Sequence, residues 1–298
     1  MQDYYCFYIE ALAQPLGYVH KSIVQAVTWP PYWTVDNSDR RLILLPSMAH
    51  PALKGMGDNP FDHRTNLMRD TVLGAHDRGE VQLIQKLNRE LVPVRTSSSE
   101  HVLDIFSGAT PMFGTVAYGV SLIAWTVTSQ GQLYWLQRRA KTRTVHPGKL
   151  DTTASGSIRS REAVIDAMVR EAAEEAGIDP LFSRRHLWHG GTISYHLTWN
   201  SDGSPGSIPH VLYVFEMPLP ADRAPTPTDG EVSEFVPMTK DAIFRALVGD
   251  DFKPIVAAVW LCHFMRHGVV NADNECNFLE LHSHIHRRHR LFDIELDS

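Results

Sequence analysis

Between Gly156 and Ile178 the chain sets Gly, Glu, Arg-Glu, Glu-Glu and Gly at fixed intervals: Gly156, Glu162, Arg170-Glu171, Glu174-Glu175 and Gly177. Residues 162–176 contain no Pro or Gly and are rich in Ala, Glu, Arg and Met. That composition predicts a helix of about four turns, stopped at Gly177, which adopts a left-handed cap without penalty. At about 100° per residue, Glu171, Glu174 and Glu175 fall within roughly 100° of arc, while Val164, Ile165, Met168, Val169 and Ala172 gather on the adjacent, core-facing side. Carboxylates three and four residues apart repel one another, and more strongly when crowded against a sheet. The cluster therefore calls for a cation. An all-oxygen donor set without Cys or His favours Mg²⁺, with Mn²⁺ as the alternative, over Zn²⁺. Arg170 and Glu162 are expected away from that rim, as a bidentate pair holding the preceding loop to the helix.

An arbitrary Glu pair on a helix is usually a solvated face, but here every fixed position of a longer pattern is filled. The stretch resembles the Nudix box, G-x5-E-x7-R-E-U-x-E-E-x-G-U, with Ala172 and Ile178 at its two apolar positions. The resemblance implies an α/β fold, a Nudix α/β/α sandwich with a mixed sheet, and hydrolysis of a diphosphate linked to another moiety. It also implies that Glu171, Glu174 and Glu175 are catalytic metal ligands, joined by the Gly156 carbonyl, with Arg170 and Glu162 as the supporting pair.

The 298-residue chain is 43% hydrophobic, enough for more than one core, and two domains are expected. They divide as residues 1–110, a smaller α+β accessory domain for substrate recognition, and 111–298, the Nudix domain with C-terminal helices. A net charge of −6 without a long basic run argues against a nucleic-acid footprint and for a small-molecule diphosphate substrate. Oligomeric state leaves no mark on the sequence. Cys6, Cys262 and Cys276 are far apart and lack zinc spacing, so a reducing compartment is expected, with Cys262 as a buried core thiol. The longest apolar run, Ile255 to Cys262, is too short to span a bilayer, and the Met1-Gln2-Asp3-Tyr4-Tyr5 start is no signal peptide, so no membrane partner is expected and the location is predicted to be cytoplasmic.

Before the box, Trp29-Pro30-Pro31-Tyr32-Trp33 reads as a packed turn, Asp62–Asp70 and Val81–Leu91 as helix-compatible, and Ser97-Ser98-Ser99 as the loop between the two halves. Val116–Val127 and Leu133–Leu136, joined by a Gln130-Gly131-Gln132 turn, predict a hairpin opening the second domain. Arg138, Arg139, Lys141 and Arg143 then precede His146-Pro147-Gly148-Lys149-Leu150-Asp151. Cations and a tight turn just upstream of the metal loop suit diphosphate capture, with Arg138, Arg139, His146 and Lys149 as substrate-binding candidates.

Further motifs extend the likeness: Tyr118-Gly119-Val120, Gln137-Arg138-Arg139, Pro147 to Asp151, Asp229-Gly230-Glu231-Val232, Phe252-Lys253-Pro254 and Arg266-His267-Gly268. Taken in order, these resemble the Nudix proteins related to thiamine pyrophosphokinase, in which a domain of unknown function precedes the Nudix domain. This implies cleavage of thiamine diphosphate-like compounds, including oxidised or damaged forms, to the monophosphate. His146 and Ser121 depart from the group, which tends to carry Trp and His there. In Nudix enzymes a downstream acidic loop commonly supplies another carboxylate, as base or ligand, which implies Glu231 or another acidic residue of this loop as the base.

Val211–Met217 reads as a buried strand whose Glu216 ends in solvent, Asp241–Leu247 and Pro254–His267 as helices, and the histidine-rich tail His282 to His289 as a solvated helix face. Two other organic-diphosphate functions compete. A prenyl diphosphate could replace thiamine diphosphate, although isomerase chemistry would need a Cys that residues 146–160 lack. A non-catalytic Nudix binding module would not require intact metal carboxylates.

Overall fold

The computed structural model describes residues 2–48, 59–129, 131–143, 146–199, 205–249 and 251–286. Gln130 and the Arg287–His289 end of the histidine-rich tail lie outside them. The chain begins with a four-stranded sheet made from short aromatic and β-branched segments. β1 (Tyr4–Ile9) and β2 (Gly17–His20) lead into α1 (Lys21–Ala26), then β3 (Trp33–Asp36) and β4 (Arg41–Leu44), in the spatial order β2-β1-β4-β3. Tyr32 and Trp33 are buried, and Trp29 packs on Trp33 with ring centroids 5.1 Å apart, so the aromatic-proline segment is the packed turn its composition predicts.

Helix α2 (Pro60–Asp77) starts where Asn59 accepts the Phe61 N–H and Pro60 fills the first turn. It buries Leu67, Met68 and Val72 against the same core as Phe7, Leu42 and Phe113. Two sequence expectations fail nearby. Val81–Leu91 forms only a 3-10 turn at Gln82–Ile84 before strand β5 (Leu91–Arg95) begins. Ser97–Ser99 is the tip of the hairpin joining β5 to β6 (His101–Phe106), not a linker, because cross-strand pairing of two short apolar runs outweighs the polar tip between them. Helix α3 (Thr110–Phe113) then closes at Gly114, φ +62°. A side chain there would meet the Tyr18 backbone at 2.0 Å, so only glycine fits.

The seven-stranded sheet follows, built from β7 (Ala117–Thr128), β8 (Gly131–Arg139), β9 (Leu150–Asp151), β10 (Ala154–Ser157), β11 (Trp188–Trp199), β12 (Pro205–Pro218) and β13 (Val232–Met238). Its main path runs β11-β12-β7-β8-β13, with β10 on β7 and β9 on β8. β12 runs parallel to β7 and the other pairs are antiparallel, so the sheet is mixed. Period-2 alternation assigns the two faces. Val120, Leu122 and Ala124 of β7, with Phe215 and Met217 of β12, pack under helix α4 (Val164–Ala176). Ile123, Tyr134, Leu136, Leu212 and Val214 face the other way, against α6 (Lys240–Val248) and α7 (Pro254–Arg266).

This is the expected α/β/α sandwich. Short α5 (Pro180–His186) follows α4, and α8 (Phe278–Ile285) carries His282 and His284 exposed, as a solvated face. Cys262, expected in the core, is only half-buried, because it sits on the flank of α7 away from Val259 and Trp260. Among the described residues, no helix is long and apolar enough to cross a membrane.

Candidate active site

Helix α4 ends as its sequence predicts. Gly177 adopts φ +64°, its N–H reaches the Ala173 carbonyl at 3.2 Å, and the Ile178 N–H reaches the Ala172 carbonyl at 3.1 Å. The cap orients the last two turns, which carry the carboxylates. Glu171 and Glu175, four residues apart, turn inward and are buried, whereas the Glu174 side chain stays 45% exposed. The rim is thus split, with one acid in solvent and two beneath it.

Gly156 explains how Glu171 fits. Strand β10 lies against β7 with Gly156 opposite Val120, and a Cβ at 156 would fall 1.9 Å from Glu171 Oε1. The carboxylate occupies the space a side chain would take. Burial pushes the Glu171 carboxyl up to about 7, despite Arg170. Glu175 accepts the Ser155 N–H at 2.7 Å and Gln137 Nε2–H at 3.2 Å. Burial also raises it well above the ordinary carboxylate range, and Asp151, Glu171 and Asp229 add to the effect. Two buried acids side by side, with further carboxylates near them, mark a place that suits a cation.

The Arg170–Glu162 pair forms as expected: Nε lies 2.8 Å from Oε1 and Nη2 3.0 Å from Oε2. Burial opposes the charge on Glu162, but Arg170 outweighs it and holds the carboxyl below its usual range. Arg170 is not remote from the carboxylate rim, however. Its Nη1 reaches Glu171 Oε1 at 2.6 Å and Glu174 Oε2 at 3.0 Å, because a guanidinium has donors to spare after one bidentate pair. It clamps the loop and screens the acids together.

The acidic loop approaches from the far side of the sheet. Thr228 donates to the Glu174 carbonyl, Gly230 turns at φ +77°, and Asp229 Oδ1 accepts the Glu231 N–H at 2.8 Å. One oxygen each from Glu175, Asp229 and Glu231 lies within 4.8 Å of the others. Glu231 is 43% exposed and pairs with Arg143. These residues, with Glu171, Glu174 and the Gly156 carbonyl, could hold hard divalent cations, and the all-oxygen donor set fits Mg²⁺.

The cations before the loop do not act as one group. Arg139 is buried, bonds the His146 carbonyl at 3.2 Å and pairs with Asp151 at 3.3 Å; Lys253 meets the same Asp151 oxygen at 3.3 Å. Arg138 points outward to Glu234 and to the Gly148 carbonyl, at 3.0 and 3.1 Å. His146 sits in the turn with φ +50°, and burial, aided by Lys253 and Arg139, lowers its pKa. Lys149 is half-buried in the same turn. Of these sequence candidates Arg139 lines the cleft beside Glu175, with Arg143, Asp151 and Lys253; Arg138, His146 and Lys149 do not.

Sequence reasoning passed over Tyr195 and His210. They face each other across β11 and β12, bond through Tyr195 Oη and His210 Nδ1, and wall the cleft opposite Gly156 with Leu212, Ile255 and Val256 beside them. The only signal was cross-strand register, which cannot be read before the pairing is known.

A family model for the NUDIX domain matches residues 117–258. That match takes in the seven-stranded sheet, α4 and the acidic loop. The yeast protein YJR142W, uncharacterized by its description, is 26% identical over 76% of this chain and 69% of its own length. Nudix hydrolase 24, chloroplastic, of Arabidopsis thaliana is 26% identical over 78% of the chain; the chain spans 62% of that relative's length. DR0079 of Deinococcus radiodurans, a solved structure, is 19% identical and covers 58% of this chain and 99% of its own, with a TM-score of 0.42. The NUDIX match and the Arabidopsis Nudix hydrolase relative support an enzyme, a hydrolase.

Proposed function

We propose that this chain is an Mg²⁺-dependent hydrolase of an organic diphosphate, with thiamine diphosphate and its oxidised forms as the preferred substrate class. The carrying observation is the convergence of Glu171 and Glu175 on β10, at Gly156 and Ser155, with Asp229 and Glu231 closing from the next loop. Residues 1–110 serve as an accessory domain, bearing on the Nudix box through Arg159–Glu90 at 2.6 Å and Ser160–Asp104 at 2.5 Å.

In this reading Glu171, Glu174, Glu175 and the Gly156 carbonyl hold Mg²⁺, with Asp229 completing the donor set. When bound, Mg²⁺ would offset diphosphate charge and lower the pKa of coordinated water. Glu231 accepts a proton from the attacking water, and its pairing with Arg143 keeps it placed. Water attacks phosphorus, the bridging P–O bond breaks, and the products are a monophosphate and inorganic phosphate. Arg143 and Lys253 steer the anionic end, while Arg139, spent on Asp151, shapes the cleft floor and His146 and Lys149 frame the turn above it. Arg138 orders that turn through Gly148.

The thiamine reading rests on the motif likeness across both halves and on the cleft wall. Tyr195, in that wall, offers an aromatic ring suited to a thiazolium cation. Cleavage should therefore be measured, as inorganic phosphate or newly formed phosphomonoester, over thiamine diphosphate, oxythiamine diphosphate, ADP-ribose, nucleoside diphosphates and geranyl diphosphate. Thiamine-type compounds should be cut fastest, only with Mg²⁺ or Mn²⁺. Preference for another diphosphate would replace the substrate, and no cleavage of any would remove the enzymatic reading in favour of a binding module.

A further inference from the structure

Glu216 lies near the end of β12, where its position in the sequence suggests a solvent-facing strand end; its side chain is instead 0% exposed. The reason is α7, which turns three side chains onto it. His263 Nδ1 is 3.0 Å from Oε1, His267 Nε2 is 2.8 Å from Oε2, and Arg266 also bonds Oε1. The two imidazoles are one helical turn apart with ring centroids 4.5 Å from each other, and one donor atom each from Glu216, His263 and His267 lies within 4.8 Å of the others. This site is separate from the carboxylates of the Nudix box.

Two imidazoles spaced i, i+4 and a carboxylate from a facing strand form a donor set for a borderline transition metal, unlike the all-oxygen cluster under α4. Its surroundings are built in the same sense. The second ring nitrogen of His263 meets Tyr134 Oη at 3.2 Å, an outer partner of the kind that fixes a ligating imidazole. On β11, a Cβ at Gly190 would lie 3.1 Å from Glu216 Oε1 and 2.9 Å from Arg266 Nη2, so the backbone there approaches closely. A cavity of ≈ 560 Å³, lined by Tyr134, Gln132, Trp125, His263 and His267 among others, opens onto both imidazoles and gives an ion a path and room for a water ligand.

We propose that Glu216, His263 and His267 form a binding site for Zn²⁺ or a similar transition-metal ion, with water in the fourth position facing that cavity. A carboxylate only accepts, so without the ion His263 donates its Nδ1–H to Glu216. Metal binding at Nδ1 shifts His263 to its Nε2–H tautomer with no net proton release, and the Tyr134 hydroxyl turns from donor to acceptor toward Nε2. Arg266 remains on Oε1 as the outer partner of the carboxylate and leaves Oε2 to the ion. The ion would pin α7 to the sheet.

The test uses the full chain dialysed against Zn²⁺ in excess Mg²⁺, which keeps the all-oxygen site filled, and Co²⁺ absorption as a probe of geometry. One Zn²⁺ per chain should be retained, and Co²⁺ should give the strong visible bands of a four-coordinate N/O site. His267 is half-exposed, so His267→Gln should fold with an unchanged metal-free melting temperature yet lose Zn²⁺ affinity at least a hundredfold, while His282→Ala in α8 leaves it intact. Absence of retained Zn²⁺, a weak six-coordinate Co²⁺ spectrum, survival of binding in His267→Gln, or its loss in His282→Ala would each overturn the site.

Discussion

A methyl group added at residue 156 would sit 1.9 Å from Glu171 Oε1, within the carboxylate's own space. Gly156→Ala should therefore push Glu171 off its position, at a cost of about 1–3 kcal/mol for overpacking, and reduce turnover at least tenfold. Thermal melts and initial rates check this together, and wild-type rates would show that the Glu171 position is unimportant. Glu175→Gln should lower turnover roughly a hundredfold or more, since metal charge stabilisation amounts to several kcal/mol. It should not destabilise the metal-free protein, because the amide can keep the Ser155 N–H bond without the charge that burial disfavours. Glu171 gives a pH prediction of definite sign. Its folded value, about 7, stands above the ordinary glutamate value of 4.5. Its contribution to metal-free stability is complete below about 4.5 and is lost as pH rises through about 7. The melting temperature of wild type minus that of Glu171→Gln should fall between pH 5 and 8 in chelator, and added Mg²⁺ should reverse the trend. A flat difference would show that the carboxyl ionises freely in the fold.

Helix α4 shows which elements the sequence discloses. Its composition, its apolar stripe and the Gly177 cap are all local, so its ends and its acidic rim can be read before any packing is known. The split between exposed Glu174 and buried Glu175 could not, because it depends on β10 lying across the helix. Val81–Leu91 and Ser97–Ser99 misled for a related reason: the β5–β6 hairpin draws its stability from cross-strand partners, not from propensity. Tyr195 and Glu216 belong with them, since strand register sets Tyr195 against His210 and the packing of α7 sets what Glu216 meets. At this scale the test is the loop-to-helix clamp. Arg170 is 16% exposed and Glu162 14%, so Arg170→Ala leaves a mostly buried carboxylate unpaired and should cost roughly 2–4 kcal/mol, below the full penalty for a sealed pair. Urea titration measures it, and an unchanged midpoint would mean the pair is solvated.

Across the whole molecule, two bodies of sequence meet at the Nudix box. The β5–β6 hairpin and its flank hold residues 159 and 160, where the Ser160 N–H reaches the Leu91 carbonyl at 2.8 Å and Arg159 spans Glu90 and Glu174. The box is thus braced from outside its own sheet, which gives residues 1–110 a part in placing the carboxylates. The cleft itself joins a charged half, Arg143, Asp151, Glu175 and Lys253, to a ring-and-aliphatic half, Tyr195, His210, Leu212, Ile255 and Val256. A compact cationic ring suits that mixture, whereas a prenyl chain calls for a longer apolar channel. The decisive measurement is a competition between oxythiamine diphosphate and geranyl diphosphate in the same Mg²⁺ buffer, read as kcat/KM for each. The thiamine-type compound is predicted to win, with Glu174→Gln abolishing its cleavage; a prenyl constant a hundredfold higher, or cleavage untouched by Glu174→Gln, would contradict the account.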